Sequence, residues 1–429
     1  MAKDLPFPIR TSTSCLLKWA WSTLWLNRGK VTCCHRNFKI DVPLDDFDNF
    51  HNQPYYVDHR ESMLRGEWPN SPNHLGCGYC RSIEEAGGRS DRQYMTETKT
   101  HQTPDELEDN PTATHITPTI LEVFINNKCN LACTYCNVNE SSVHETEAQR
   151  FFNPEFNERY FGRTRTRVSD ELYNQYVEKL ISWLQRKGSA LQRLNLLGGE
   201  PFIQTDFYKI VDVFKEYPNP NLELSVITNM NLPHKMFIKH VGFLRQLVKD
   251  KKVKRIDITA SVDCWGDSIE YVRRGFIMDL FEKNMLYILQ YPNEIRVNIN
   301  STHNLMSLDT YPDLLAKKKE WQDLTGGKIA MFGQIVGSYQ VDPRTLGGDF
   351  FKETFVRIRK NLPLQTWDDR QQAKIVHGII KNIEQSKPDL QMISDFLTCY
   401  NELDRRYGTN WKKTFPRIAE AMSKYEDTE

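Results

Sequence analysis

The sequence predicts an α/β fold on a parallel sheet, open or closed into a barrel, and three observations predict it. Short apolar runs alternate with amphipathic stretches from about residue 119 onward, six such runs recur before about residue 340, and helical segments fill every gap between them. Strand, helix and strand repeated in this way imply parallel pairing through right-handed crossovers. In such folds the chemistry sits at the C-terminal ends of the strands.

The six strands are expected at Thr119 to Asn126, Gln192 to Leu197, Leu222 to Thr228, Lys254 to Ser261, Glu294 to Ser301 and Lys328 to Val336. The clearest helix starts at the N-cap candidate Ser169, with Leu172, Tyr176, Leu180 and Leu184 on one face and Val177 and Ile181 beside them. Ahead of this array, the alternation between Cys15 and Cys34 and the turn residues Asn27-Arg28-Gly29-Lys30 predict a β-hairpin. A loop rich in Asp, Asn and Pro runs to about residue 76, and Cys77-Gly-Tyr-Cys80 precedes a short helix at Ser82 to Ala86. Residues 96–118 are polar and read as a linker. Residues 139–168 form a polar insertion carrying Phe151, Phe152, Phe156, Tyr160 and Phe161, either a lid or a packed excursion, and the tail from Phe350 reads as helices without a strand. The expected division is therefore 1–95, a cysteine-rich module; 96–118, a linker; 119–340, the β/α core; and 341–429, a helical region.

A chain of 429 residues holds two or three compact domains at roughly 150 residues each. Its 56 basic residues balance its 56 acidic ones, which argues against nucleic acid as a partner and gives no net pull toward an anionic membrane. The apolar run Leu16 to Leu26 is broken by Lys18 and has no small-residue cleavage site behind it. No other run approaches the ~20 residues that cross a bilayer. These features predict a soluble, cytoplasmic protein. Eight of the ten cysteines crowd into the first third, and close spacings in a large intracellular chain favour metal ligation over disulfides.

Directly after the first strand stands Cys129-Asn-Leu-Ala-Cys133-Thr-Tyr-Cys136. Three thiolates on one short loop suit three corners of a cubane iron–sulfur cluster and leave the fourth iron open for chemistry. A structural zinc site, which takes a fourth protein ligand, is the alternative for this spacing. With Tyr135 before the last cysteine, the motif resembles the signature of the radical S-adenosylmethionine (SAM) superfamily. Leu197-Gly198-Gly199-Glu200-Pro201, closing the second strand, is similar to that family's SAM-binding Gly-Gly-Glu-Pro motif.

The resemblance implies a partial (β/α)6 TIM-like barrel, a [4Fe-4S] cluster on Cys129, Cys133 and Cys136, and SAM as cosubstrate. It further assigns Tyr135, Gly198, Gly199, Glu200 and Pro201 to the cofactors, together with the strand-end residues Asn229, Ser261, Asp263, Asn298 and Asn300. Gly333-Gln-Ile-Val-Gly337 resembles the strand that lies against adenine, and Arg273 is either a positive charge near the SAM carboxylate or a surface ion pair. The chemistry implied is reductive cleavage of SAM to a 5′-deoxyadenosyl radical that abstracts hydrogen, with an electron donor such as flavodoxin or ferredoxin.

Cys15, Cys34, Cys77 and Cys80 supply four further thiolates, enough to close a second cluster, with Cys33 as a competitor for Cys34. The Cys-x13-Gly-x4-Cys hairpin, Met63-Leu-Arg-Gly-Glu67, and Glu84, Glu85, Gly87 and Arg92 resemble the SPASM and twitch extensions, which hold auxiliary iron–sulfur clusters. In the best-known members this module follows the barrel; here it precedes it. A zinc ribbon is the alternative. Cys264 and Cys399 read as buried apolar residues, with a hydrogen-donor role open for Cys264.

Because SPASM and twitch members are mostly peptide maturases, the resemblance implies an enzyme that modifies a peptide or protein side chain. A nucleotide, tRNA base, sugar or small metabolite is the second candidate substrate. A non-catalytic zinc-binding interaction protein is the reading from another class.

Overall fold

The computed structural model describes residues 11–72, 75–98, 102–163, 167–326 and 329–426. The chain forms two compact units: Met1–Asn126 with Thr166–Val226 and Gln246–Ile256, and Asn127–Arg165 with Ile227–Arg245 and Asp257–Glu429. The strands among the described residues are β1 Trp21–Trp25, β2 Lys30–Thr32, β3 Ile40–Asp41, β4 Ile120–Phe124, β5 Ala132–Cys133, β6 Arg193–Leu197, β7 Asn219–Thr228, β8 Val253–Ser261, β9 Arg273–Arg274, β10 Ile295–His303 and β11 Ile329–Ile335. The six strands of the β/α pattern are present within a few residues of their expected bounds, although Lys328, the expected start of the last, lies outside the described residues.

In the first unit the strands lie in the order β3-β2-β1-β4-β6-β7. Register runs parallel from Trp21↔Ile120 to Trp25↔Phe124 and from Ile120↔Arg193 to Phe124↔Leu197, and β6 pairs parallel with β7 from Arg193↔Glu223. This is a large, mostly parallel sheet. All five residues of β4, Ile-Leu-Glu-Val-Phe, are buried, as expected of a strand covered on both faces. The hairpin is present from Trp21 onward, with β1 and β2 antiparallel and Gly29 left-handed at φ 57°, but Leu16–Ala20, expected in its first strand, is a helix. It also joins the parallel sheet through β1, and the polar groups this buries are paired: Ser22 with His51 Nδ1 at 2.7 Å, and Thr23 Oγ1 donating to Glu122 at 3.1 Å.

The helix Asp170–Lys187 begins where expected, Ser169 accepting the Leu172 N–H at 3.2 Å. Tyr176, Val177, Leu180 and Leu184 are buried, each large aliphatic contributing about 1.5–3 kcal/mol. Three further segments depart from the sequence reading. Pro54–Leu64 is a helix inside the expected loop; its buried face is largely polar, Arg60 donating to Lys18 O at 2.7 Å and His51 O at 2.6 Å, so no apolar period announces it. Gly76–Glu85 is a longer helix than expected and takes in both Cys77 and Cys80. Residues 96–118 are not bare chain, because Leu107 and Ile116 pack in one core with Leu16, Trp19 and Ile120.

In the second unit β8, β10 and β11 are neighbours in that order, and β10 pairs parallel with β11 from Val297↔Ile329 to His303↔Ile335. The insertion forms helices Ser142–Arg150 and Pro154–Phe161 with Phe156, Tyr160 and Phe161 buried, while Phe152 remains 83% exposed. Arg159 and Tyr160 both donate to Asp395 on the helix Leu390–Tyr407, so the excursion is packed against the C-terminal helices. As expected, the described tail is helical: Lys352–Asn361, Trp367–Glu384, Leu390–Tyr407, Trp411–Thr414 and Pro416–Glu426. No helix among the described residues is long and apolar enough to cross a membrane.

Candidate functional site

The loop carrying Cys129, Cys133 and Cys136 is held by its own unit from two sides. β5 pairs antiparallel with β9, setting Cys133 opposite Arg273, and the Thr134 N–H donates to Val272 O at 2.9 Å. On the other side His144 Nε2 donates to Cys133 O at 2.9 Å, and Ser142 Oγ accepts the Cys129 N–H at 3.1 Å. Burial holds His144 down at about 4, so at neutral pH it is a neutral donor to that carbonyl. The Leu131 N–H points at Cys129 Sγ, 3.4 Å away, and stabilises charge on that sulfur.

The three thiols lie close enough to feel one another. Burial pushes the Cys136 thiol well up, and the Cys133 and Cys129 sulfurs add to the effect. Such crowding is unfavourable for three anions alone and is relieved by a cationic iron centre. The donor set, three half-buried sulfurs on one loop, fits three corners of a cubane cluster. Among the described residues, no group of three or more His, Cys, Asp or Glu stands ready for a single metal ion.

Arg273 is buried, which rules out the surface ion pair. Its guanidinium grips Asp263 with two bonds of 2.9 Å, and Nη1 lies 3.9 Å from Cys133 Sγ. Burial opposes the charge, but Asp263, Tyr135 and Cys133 together outweigh it and raise the Arg273 pKa further. Asp263 also accepts from the Tyr135 hydroxyl at 2.6 Å and from the Thr302 N–H at 2.8 Å. Those four bonds use the acceptor capacity of its carboxylate, so Asp263 acts on any ligand only through Arg273 and Tyr135.

The other strand-end residues divide. Asn229 accepts from the Asn231 N–H at 2.8 Å and donates to Asn130 at 2.8 Å, bracing the cysteine loop. Asn298 is buried and donates to Thr259 at 3.5 Å, while its Oδ1 has no partner among the described residues. Ser261 and Asn300 are half-buried. Gly333 is held close to the ring of His303, whose Nε2 stands 2.4 Å from where a Cβ would be. Cys264 is fully buried, and burial pushes its thiol up to about 12, as a packed apolar residue requires.

In the first unit, the turn after β6 brings Gly199 N–H to Asn126 O at 2.8 Å, and a Cβ on Gly198 would stand 2.5 Å from that oxygen. The close approach explains the glycine. Glu200 is fully buried and caps Pro201–Ile203 by accepting the Phe202 N–H at 3.2 Å.

The same unit gathers Cys15, Cys34, Cys77 and Cys80 around one small cavity, partly open to solvent, with Lys18, Trp68 and Arg92 in its wall. Cys15 precedes the helix Leu16–Ala20, Cys34 follows β2, and Cys77 and Cys80 sit one turn apart on their helix. Cys33 lies beside the lining without being part of it, its sulfur accepting from Lys18 Nζ at 3.3 Å and Asn37 Nδ2 at 3.5 Å. Burial, with Cys34 next, pushes the Cys15 thiol well up, and burial raises that of Cys34 to about 11. Arg92 is fixed by Glu84, which Nε reaches at 3.0 Å. Lys18, Ser142 and His144 carried no signal in the sequence, since each lies within a segment whose pattern points elsewhere.

Residues 123–261 match the model of the Radical SAM superfamily, a span from β4 to the end of β8. No curated protein matches the chain. Among solved structures, Streptococcus suis SuiB bound to precursor peptide SuiA is 13% identical, with 90% of this chain and 74% of that one covered and a TM-score of 0.36. The same protein bound to S-adenosylmethionine gives 14%, 90%, 75% and 0.36, and TYW1 with a lysine-pyruvate adduct bound gives 14%, 55%, 68% and 0.25.

Proposed function

We propose, from the premise that the radical SAM domain of residues 123–261 makes this chain an enzyme of that type with a [4Fe-4S] cluster and SAM as its cofactors, that it abstracts hydrogen from a peptide or protein side chain. The observation that carries the radical reading is the clamped loop on which Cys129, Cys133 and Cys136 crowd together beside buried Arg273. When bound, the cluster supplies the electron that breaks the sulfonium C–S bond of SAM. The chain's own residues do the rest. Cys129, Cys133 and Cys136 hold three irons; Tyr135 and Arg273, locked by Asp263, fix the loop and keep a positive charge beside Cys133. Gly198, Gly199, Glu200 and Pro201 are assigned to the SAM amino end, and Ser261, Asn298 and Asn300 to its sugar and carboxylate. Asn229 is assigned to keep the cysteine loop in register.

The peptide reading is supported by the second group of thiols. Four cysteines around one cavity suit an auxiliary iron–sulfur cluster, as in twitch-like modules, and such a cluster provides an electron acceptor or anchor for a peptide radical. On this reading residues 1–95 are the auxiliary module, 119–340 close into a partial barrel, and a flavodoxin or ferredoxin in the cytoplasm is the reductant.

Anaerobic protein with dithionite and SAM is expected to release 5′-deoxyadenosine and to contain about eight irons per chain. Colourless, zinc-loaded protein that leaves SAM intact overturns the radical reading. Deuterated peptides are expected to pass their label into 5′-deoxyadenosine, whereas nucleosides, tRNA and sugars pass none; the reverse pattern overturns the peptide assignment.

A further inference from the structure

Lys18 is a lysine in the wrong place for a solvated charge. It is 2% exposed, and among the described residues no carboxylate pairs with it, since Asp91, which lines the same cavity, is matched by Arg36. Its side chain meets sulfur instead: Nζ donates to Cys33 at 3.3 Å and also hydrogen-bonds Cys77. It stands three residues beyond Cys15 on one helical turn, the Lys18 N–H donating to Cys15 O at 2.9 Å, and it lines the cavity that Cys15, Cys34, Cys77 and Cys80 share. Arg92, the other cation in that wall, is already matched by Glu84.

Desolvating an ammonium costs several kcal/mol unless a negative charge faces it. Neutral thiols offer too little. An iron–sulfur cluster on four thiolates offers a net negative charge that grows by one on reduction, inside a low-dielectric wall where a fixed cation counts most.

We propose that Lys18, held in place by Cys33, is a positioning residue for the charge of the auxiliary cluster: it favours the reduced form and so raises that cluster's reduction potential, while Cys33 itself is not a ligand. The inference rests on the auxiliary-cluster reading of Cys15, Cys34, Cys77 and Cys80. It gives the N-terminal cysteines Cys15, Cys34, Cys77 and Cys80 an electron-accepting role, because a higher potential suits uptake of the electron left on a substrate radical.

The test uses the full chain with Cys129, Cys133 and Cys136 replaced by Ala, so that only the N-terminal cluster remains, and titrates its EPR signal against ambient potential. Lys18→Met should retain the iron and shift the oxidised-to-reduced ratio at fixed potential at least tenfold toward oxidised, about 59 mV for a one-electron couple. Lys18→Arg should restore the parent value, and Cys33→Ala should retain its iron. A Lys18→Met cluster with unchanged potential, or Cys33→Ala protein that loses iron, overturns the proposal alone. Iron missing from the parent background overturns the auxiliary-cluster reading and the proposal with it. Should Lys18→Met not fold, Lys18→Gln provides the same measurement.

Discussion

Cys129, Cys133 and Cys136 come from eight consecutive residues, whereas Cys15, Cys34, Cys77 and Cys80 reach their cavity from three separated segments. The first group is short-range and is clamped by neighbours within one unit, with β5 on β9 and His144 on Cys133 O. The second depends on a hairpin turn, a helix that carries two cysteines one turn apart, and a core in which Leu16, Trp19 and Leu107 meet. A local site is written in spacing; an assembled one is written in packing. The local site should therefore fail through loss of its ligands, and the assembled one through loss of either ligands or fold.

The sharpest contrast is removal of ligands. Cys129→Ala, Cys133→Ala or Cys136→Ala is expected to abolish 5′-deoxyadenosine formation and to lower iron from about eight to about four per chain. Cys77→Ala or Cys80→Ala should also remove about four irons, but leave SAM cleavage by dithionite in place. Iron assay with chromatography of 5′-deoxyadenosine checks both. Loss of all iron in Cys77→Ala would join the two groups into one site and end the comparison.

What the sequence disclosed follows the same division. The six strands of the β/α array, the Ser169 cap and the Cys129 loop were legible because each is set by residues close in sequence. The helix Pro54–Leu64 was not, because it buries Arg60 and His59 rather than an apolar stripe. The helical placing of Cys77 and Cys80 was hidden by Gly76 and Gly78, poor helix formers in isolation. Arg273 lay open between a surface and a buried role; only its bonds to Asp263 decide it. Nothing in the spacing of Cys33 and Cys34 separates them, and of the two it is Cys34 that lines the cavity.

The brace around the local group gives the next effect in size. Asp263→Asn removes the charge that faces buried Arg273, and leaving such a group uncompensated costs about 3–5 kcal/mol. Urea unfolding of the protein before cluster reconstitution should report that loss, and SAM cleavage should fall with it as Tyr135 and Arg273 loosen beside Cys133. The N-terminal iron should be retained. A variant of unchanged stability would show that Arg273 does not depend on Asp263.

The smallest effect tests the assembled group without touching a ligand. Gly29 holds φ 57° at the turn between β1 and β2, and a Cβ there would meet the Tyr176 hydroxyl at 2.6 Å and its ring at 2.8 Å. Tyr176 has little room to retreat, since it is buried and its hydroxyl donates to Val42 O at 2.6 Å. Gly29→Ala therefore adds left-handed strain to overpacking, and the expected cost is about 1–3 kcal/mol. Because the turn sets where Cys34 emerges from β2, iron at the N-terminal site should become easier to remove by chelator, while SAM cleavage at the Cys129 loop stays near the parent rate. Equal chelator sensitivity in parent and variant would mean that Cys34 is positioned by Thr32 and the chain beyond it, not by the turn, and that the second group is less dependent on its fold than its scattered origin implies.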